Sequence, residues 1–331
     1  MKNKRLAFIF GGLLALVVLA VGSQLLRPSS EKHQTDKVKV GVLQFVTHEA
    51  LDDIYRGIKA GLKESGYTEG SNLQIDFLNS EADQSKVQTM SQTLVNNKNQ
   101  VLIGIATPAA QGLASATKDI PIVMGAVTDP VGAKLVKDLT APDGNITGVS
   151  DKTPIADQLE LMATLTPGVK TVGVLYSSSE DNSKSQVEEF KTLAQAKGYD
   201  VIEYAVASSN DITSMTHVMI EKVDAIFLPL DNTVASAFTT VVQAAKEAKT
   251  PIYTSVDTMV AEGGLASVFI NQYELGVATG KMAAKLLQGE QVAQLPVEVF
   301  DQGTPIINET VATELGITIP EQLKKEAQLI K

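Results

Sequence analysis

Polar and hydroxylated side chains crowd one recurrent place in this chain, directly behind short apolar runs. Behind the first run stand Gln44, Phe45, Thr47 and His48. Behind later ones stand Thr107 with Ala109, Thr128 with Asp129, Ser150 with Asp151, Asn182, Asp231 with Asn232, and Asp257. If the runs are strands of open α/β sheets, these residues lie beyond the carboxyl ends, where such sheets bind ligands beside helix N-termini. A helix N-terminus with free N–H groups holds a carboxylate, and a nearby aspartate holds an ammonium. Hydroxyls, amide N–H groups and one or two carboxylates therefore suit a zwitterion better than a polyanion. Taken singly, Thr107, Thr128, Asp129, Asn182 and Asp231 each read first as helix N-caps. Two facing rows of them make a cleft, and a cleft favours the ligand reading for the set.

Catalytic chemistry finds little support. The histidines are His33, in a polar spacer, His48, behind a strand, and His217, within a helix. No HExxH, GxSxG, Walker A or GxGxxG sequence occurs. His48 beside Glu49 reads as a polar helix start before it reads as a base. Asp52 and Asp53 open a helix, where negative charge is favourable without a metal. No enzyme, cofactor or metal is expected. Cysteine is absent, which excludes zinc–thiolate centres, thiol nucleophiles, disulfides and a lipid-bearing cysteine. Arg56 is the one arginine beyond Arg27, so a bidentate clamp on a phosphate or carboxylate is nearly ruled out. Tryptophan is absent, which disfavours a sugar site built on stacking platforms. Phe45 and Tyr176 end strands that point at the cleft and are candidate walls against an apolar side chain.

The elements that must position these residues alternate along the chain. Strand-like runs fall at 38–45, 73–78, 101–106, 120–125 and 146–149, then at 171–176, 200–204, 224–230, 251–255 and 266–270. They are β-branched and lack strict alternation, as parallel strands buried on both faces do. Helical stripes lie between them: Leu51, Ile54, Ile58 and Leu62; Val187, Phe190 and Leu193; Phe238, Val241, Val242 and Ala245. The fold class is α/β, with two Rossmann-like doubly wound lobes. The pattern restarts near residue 171, after a Gly-, Pro- and Asp-rich stretch at 142–154 that reads as a crossing. Further crossings are expected near Asn271 and Pro296, with the helix at 273–289 returning to the first lobe. That assigns 38–150 plus 271–295 to one lobe and 151–270 plus 296–331 to the other.

Lys2, Lys4 and Arg5 precede an uncharged apolar stretch at 6–26, which reads as an export signal. It is either cleaved, with small residues available at Ala20-Val21-Gly22, or kept as an anchor, since it is long enough to span a bilayer. A polar spacer follows at 27–37. The chain is 44% apolar and 20% charged, so it is globular. Its net charge is −10, and the basic residues are over-represented before residue 38, so the globular part repels nucleic acid and anionic headgroups.

Several longer runs resemble one family. QFVTHEALDDIYRGIKAGLKESGYTEGSNLQIDF at 44–77, GIATPAAQ at 104–111, IPIVMGAVTDPVGAKLV at 120–136 and PDGNITGVSD at 142–151 are similar to solute-binding proteins of the tryptophan/tyrosine-type ABC transporter family. So are GVLYSSSEDNS at 173–183, FLPLDNTVASA at 227–237, INQYELGVATGKMAAKLLQGE at 270–290 and PIINETVATELGITIP at 305–320. The resemblance implies a type I periplasmic-binding-protein fold whose lobes, joined by three crossings, close on a small ligand. It implies a monomer that docks on an ABC permease driven by an ATPase, and an aromatic L-amino acid such as tryptophan as ligand. By analogy with that fold, Thr107, Ala109 and Thr128 hold the carboxylate, Asp231 the ammonium, and Gln44, Phe45, Asn182 and Asn232 shape the side-chain pocket. The missing lipidated cysteine is a departure that leaves the tether open. Two other readings stand beside this one: a ligand-binding ectodomain that reports to a membrane signalling partner, and a secreted hydrolase or isomerase.

Overall fold

The computed structural model describes residues 37–331; the export segment read at 6–26 lies outside them. The chain opens with β1 (Val38–Gln44), α1 (Glu49–Glu64), β2 (Leu73–Asn79), α2 (Gln84–Asn96), β3 (Val101–Ile105), α3 (Thr107–Ala116), β4 (Ile122–Gly125) and β5 (Ile146–Asp151). There follow α4 (Ile155–Leu165), β6 (Thr171–Ser177), α5 (Asp181–Ala196), β7 (Asp200–Val206), α6 (Ile212–Ile220) and β8 (Ala225–Phe227). Next are α7 (Asn232–Ser236), α8 (Phe238–Ala248), β9 (Ile252–Thr254), α9 (Asp257–Ala261) and β10 (Ala266–Phe269). The chain ends with α10 (Gln272–Leu287), β11 (Glu298–Phe300), β12 (Thr304–Asn308), α11 (Glu309–Leu315), α12 (Glu321–Glu326) and β13 (Gln328–Ile330).

The strands build two sheets, each the centre of a lobe. The first is six-stranded, in the order β2-β1-β3-β4-β5-β11, with every pairing parallel. The second is seven-stranded, in the order β7-β6-β8-β9-β10-β12-β13. Its parallel core ends at β10, which pairs antiparallel with β12. Helices bury the apolar runs on both faces. Val40, Val42, Ile103 and Val123 are fully buried in the first lobe; Val172, Val174, Ile226 and Phe227 are fully buried in the second. This is the two-lobe α/β architecture that the alternation of runs and stripes calls for.

Two differences from the sequence reading have physical causes. β11 lies in the first sheet, with Phe300 opposite Asp151, so the third crossing follows Phe300 instead of falling near Pro296. Pro296 punctuates the chain without turning it into the other lobe. The last strands, β12 and β13, are added to the far edge of the second sheet. Pro305 lies within β12, and proline breaks the period-two signal by which strands are recognised.

The return of α10 to the first lobe depends on glycine. Gly57 and Gly61 of α1 meet Gly276 and Gly280 of α10. A Cβ on any of the four would stand 2.1–2.3 Å from a backbone carbonyl oxygen of the facing helix. Only glycine permits so close a crossing. The contact fixes α1, whose N-terminus carries His48, against the element that leaves the second lobe.

Candidate functional site

A cleft lies where the carboxyl ends of the two sheets face each other. The first lobe lines it with His48, Ala50, Leu51, Ala106, Thr107, Ala126, Thr128, Asp151 and Gln272. The second contributes Asn182, Pro229, Leu230, Asp231, Asn232, Ala235, Val256 and Met259. The walls stand close together, leaving a cavity of about 30 Å³. The lobes touch around it. Ala50 packs into an apolar cluster of the second lobe with Val256 and Met259. His48 Nε2 lies 3.3 Å from Asn232 Oδ1, and Gln111 Nε2 donates to Asp181 Oδ2 at 3.0 Å.

The first-lobe wall is built under strain and with unspent hydrogen-bonding groups. β3 and β4 both end in alanines at positive φ, Ala106 at +74° and Ala126 at +54°. Each costs of order 1–2 kcal/mol in a non-glycine residue. The turn at Ala106 aims the start of α3 at the cleft, and no side chain caps that helix. The Thr107 hydroxyl is buried without a partner. So is Asp151 Oδ1, at the end of β5. Burial pushes the Asp151 carboxyl up to about 7, against a smaller opposing effect from a Thr128 hydrogen bond. Burial thus favours the protonated carboxyl, and a cation placed beside it would favour the ionised form.

The second-lobe wall is internally satisfied. Glu180 is fully buried. Its Oε1 accepts from Thr233 N at 2.9 Å and Thr233 Oγ1 at 2.7 Å. Its Oε2 accepts from Asn232 Nδ2 at 2.5 Å and Asn232 N at 3.2 Å. Asp231 Oδ1 caps α7 through Val234 N at 2.8 Å. Its Oδ2 accepts from Ser177 N at 2.6 Å and from Ser183 Oγ at 2.7 Å. Burial first, and then the Glu180 carboxylate, raise the Asp231 carboxyl above its ordinary value. Asn182 differs from its neighbours: its Nδ2 is committed to Leu230 O at 2.7 Å, while its Oδ1 is buried and unpartnered.

Of the residues singled out from the sequence, His48, Thr107, Thr128, Asp151, Asn182, Asp231 and Asn232 line the cleft. The others do not. Phe45 and Ala109 are fully buried in the first-lobe core. Gln44 turns its Nε2 to Val46 O and Asp52 Oδ1. Thr47 is exposed and accepts from Asn79 Nδ2. Tyr176 donates its hydroxyl to Glu203, so neither aromatic ring forms a wall. Asp129 and Ser150 line a separate groove, with Asp129 Oδ1 held by Gly132 N. Asp257 opens α9 outside the lining, with its carboxyl raised by burial.

Sequence reasoning passed over Gln272, named Asp151 at a strand end without giving it a role, and took His48 for a polar helix start. The signal for Asp151 was its place beside Ser150. Successive strand residues face opposite ways, so one of the pair had to look into the cleft. Part of His48 stays accessible. Protein still surrounds its ring closely enough for desolvation to push the imidazole down to about 4, opposed by the Asn232 bond and the Asp52 charge. Among the described residues no cluster suits a metal ion, and no helix is long and apolar enough to cross a membrane.

This geometry has counterparts. The family model for ABC transporter substrate binding proteins matches residues 39–331. A tyrosine-binding protein of Clostridioides difficile is 38% identical over 321 residues, 96% of this chain and 93% of that one. Among solved structures, the ABC domain from Streptococcus pneumoniae in complex with L-Trp is 59% identical, with a TM-score of 0.87, over 89% of this chain and 100% of that one. The ligand-free, open structure of a Clostridium difficile substrate binding protein with adhesive properties is 37% identical, with a TM-score of 0.67, over 89% of this chain and 99% of that one. Such proteins bind solutes and are not enzymes. The chain belongs to the family of ABC transporter substrate-binding proteins.

Proposed function

We propose that this protein captures an aromatic L-amino acid, tryptophan first and tyrosine second, by closure of its lobes, and hands it to an ABC permease outside the cytoplasm. The carrying observation is the set of buried, unpartnered polar atoms in an otherwise apolar cleft: Thr107 Oγ1, Asp151 Oδ1 and Asn182 Oδ1. An unsatisfied buried polar atom costs about 1–3 kcal/mol, so three around one cavity are accounted for by a ligand that satisfies them. The uncapped start of α3 with Thr107 and Thr128 receives the carboxylate. Asp151 receives the ammonium, in place of the sequence-based choice of Asp231, whose oxygens already hold three donors. Leu51, Ala126, Pro229, Leu230, Val256 and Met259 give the side chain apolar walls. The tyrosine and tryptophan bound by the relatives support an aromatic ligand. Closure is supported by the cross-lobe contacts of Ala50 and His48 and by the lower TM-score against the open relative.

A thermal-shift screen of the exported part against the twenty amino acids tests this reading. Tryptophan or tyrosine at 100 times its Kd adds about 2.7 kcal/mol of apparent stability. X-ray scattering then shows a smaller radius of gyration with ligand. If none of the twenty stabilises the protein, the proposed ligand class is wrong.

A further inference from the structure

The two ends of a bound amino acid are already assigned to one lobe. Carboxylate and ammonium groups both find their partners on the first-lobe wall, at Thr107, Thr128 and Asp151. The side chain must then point across the cleft to the second lobe. That wall is apolar at Pro229, Leu230, Val256 and Met259, and most of its polar atoms are spent. Asp231 has donors on both oxygens, and Asn232 Oδ1 is engaged by His48.

Asn182 is the exception, and its orientation is fixed. The Nδ2 hydrogens face two pure acceptors, Leu230 O at 2.7 Å and Glu180 Oε2 at 3.3 Å, while Ser183 Oγ, also at 3.3 Å, gives its own proton to Asp231. A flipped amide would set its oxygen against both, so Nδ2 stays turned into the lobe and Oδ1 away from it. Asn182 is only 4% exposed, lines the cleft, and Oδ1 has no partner. A neutral acceptor held rigidly among polar groups that are already paired discriminates by leaving itself unpaired when the wrong ligand binds.

We infer that Asn182 is a specificity-determining residue, whose Oδ1 accepts a hydrogen bond from a donor on the ligand's side chain. The protein therefore selects aromatic amino acids with an N–H or O–H on the ring over those without one. The inference rests on the proposed function, and it goes further by dividing the aromatic class.

Calorimetry with matched ligands tests it. L-tryptophan is compared with 3-benzothienyl-L-alanine, which replaces the indole N–H by sulfur at nearly constant shape, and L-tyrosine with L-phenylalanine. The wild type should prefer the donor-bearing member of each pair by about 10- to 100-fold, the cost of one buried unpaired acceptor. In Asn182→Ala the preference within each pair should fall to about threefold or less. Asn182→Ser serves in its place if the alanine variant does not fold. Equal affinities within the wild-type pairs overturn the inference, as does a full preference that survives the substitution. A protein that binds none of the four ligands refutes the proposed function itself, and the inference falls with it.

Discussion

On the first-lobe wall of the cleft, Thr107 and Asp151 bury polar atoms that nothing in the protein satisfies, beside two alanines at positive φ. On the second-lobe wall, Glu180, Asp231, Asn232, Thr233 and Ser183 satisfy one another. The residue types are alike, and both walls lie beyond the carboxyl ends of parallel strands. They differ in unspent hydrogen-bonding capacity. A polar residue in a cleft is a ligand contact only if the fold has left it a free atom. By this measure the proposed ligand docks on the first lobe, and in the proposed closure the second lobe meets it as a pre-assembled plate with one unspent atom, at Asn182.

The comparison is tested most severely at Asp151. Asp151→Asn keeps the shape and removes the charge, so amino-acid affinity should fall by about 10- to 150-fold, the worth of a charge-assisted hydrogen bond. Burial raises this carboxyl to about 7, so the ionised form is disfavoured in the empty protein. The variant's ligand-free melting temperature should therefore hold or rise. Calorimetry and a melting curve on the same sample check both halves; wild-type affinity in the variant removes Asp151 from the site.

A second effect, on the order of tenfold, is expected from pH. His48 is a cross-lobe contact of the first wall, with Asn232 opposite it and Asp52 on the helix it opens, and it shares the cleft lining with Asp231 and Asp151. Desolvation in this structure pushes its imidazole down to about 4; in the proposed open form, with that burial relieved, it returns toward the ordinary 6.5. A lowered histidine makes the closed form most stable above about pH 6.5 and loses that stability as pH falls toward 4. Affinity should therefore weaken on the order of tenfold between pH 7 and pH 5. His48→Gln, which keeps a donor for Asn232 but does not titrate, should flatten the profile. An unchanged profile in the variant would place the titration elsewhere, with Asp151 the next group to substitute.

Much of the architecture was legible in the chain. Runs such as VKVGVLQF and TVGVLY with stripes such as Leu51, Ile54, Ile58 and Leu62 dictate strands under helices. The site was legible as a set of strand ends and not as a set of contacts. Side-chain direction at a strand end changes with each residue, so Phe45 and Ala109 could turn into the core while Thr107 faced the cleft. Asp231 is the instructive case. Its position was read correctly as a cap facing the cleft, but the three donors that occupy it come from Ser177, Ser183 and Val234. Two of them lie about fifty residues away in sequence, beyond the reach of local pattern.

Asp231 also gives the smallest expected effect on affinity and the sharpest contrast with Asp151. Asp231→Ala leaves the Ser177 and Val234 amides and the Ser183 hydroxyl without their acceptor and uncaps α7. Stability should fall by about 1–3 kcal/mol, as buried donors lose their partner. The ligand should lose little, because those oxygens were never available to it. The expected result is a lower denaturant midpoint with a Kd within about threefold of wild type, measured at low temperature where the variant stays folded. The reverse result, a 10- to 150-fold loss of affinity at unchanged stability, would make Asp231 the ammonium partner after all. The second wall would then be an active contact surface, and hydrogen-bond saturation a poor guide to where this family holds its ligands.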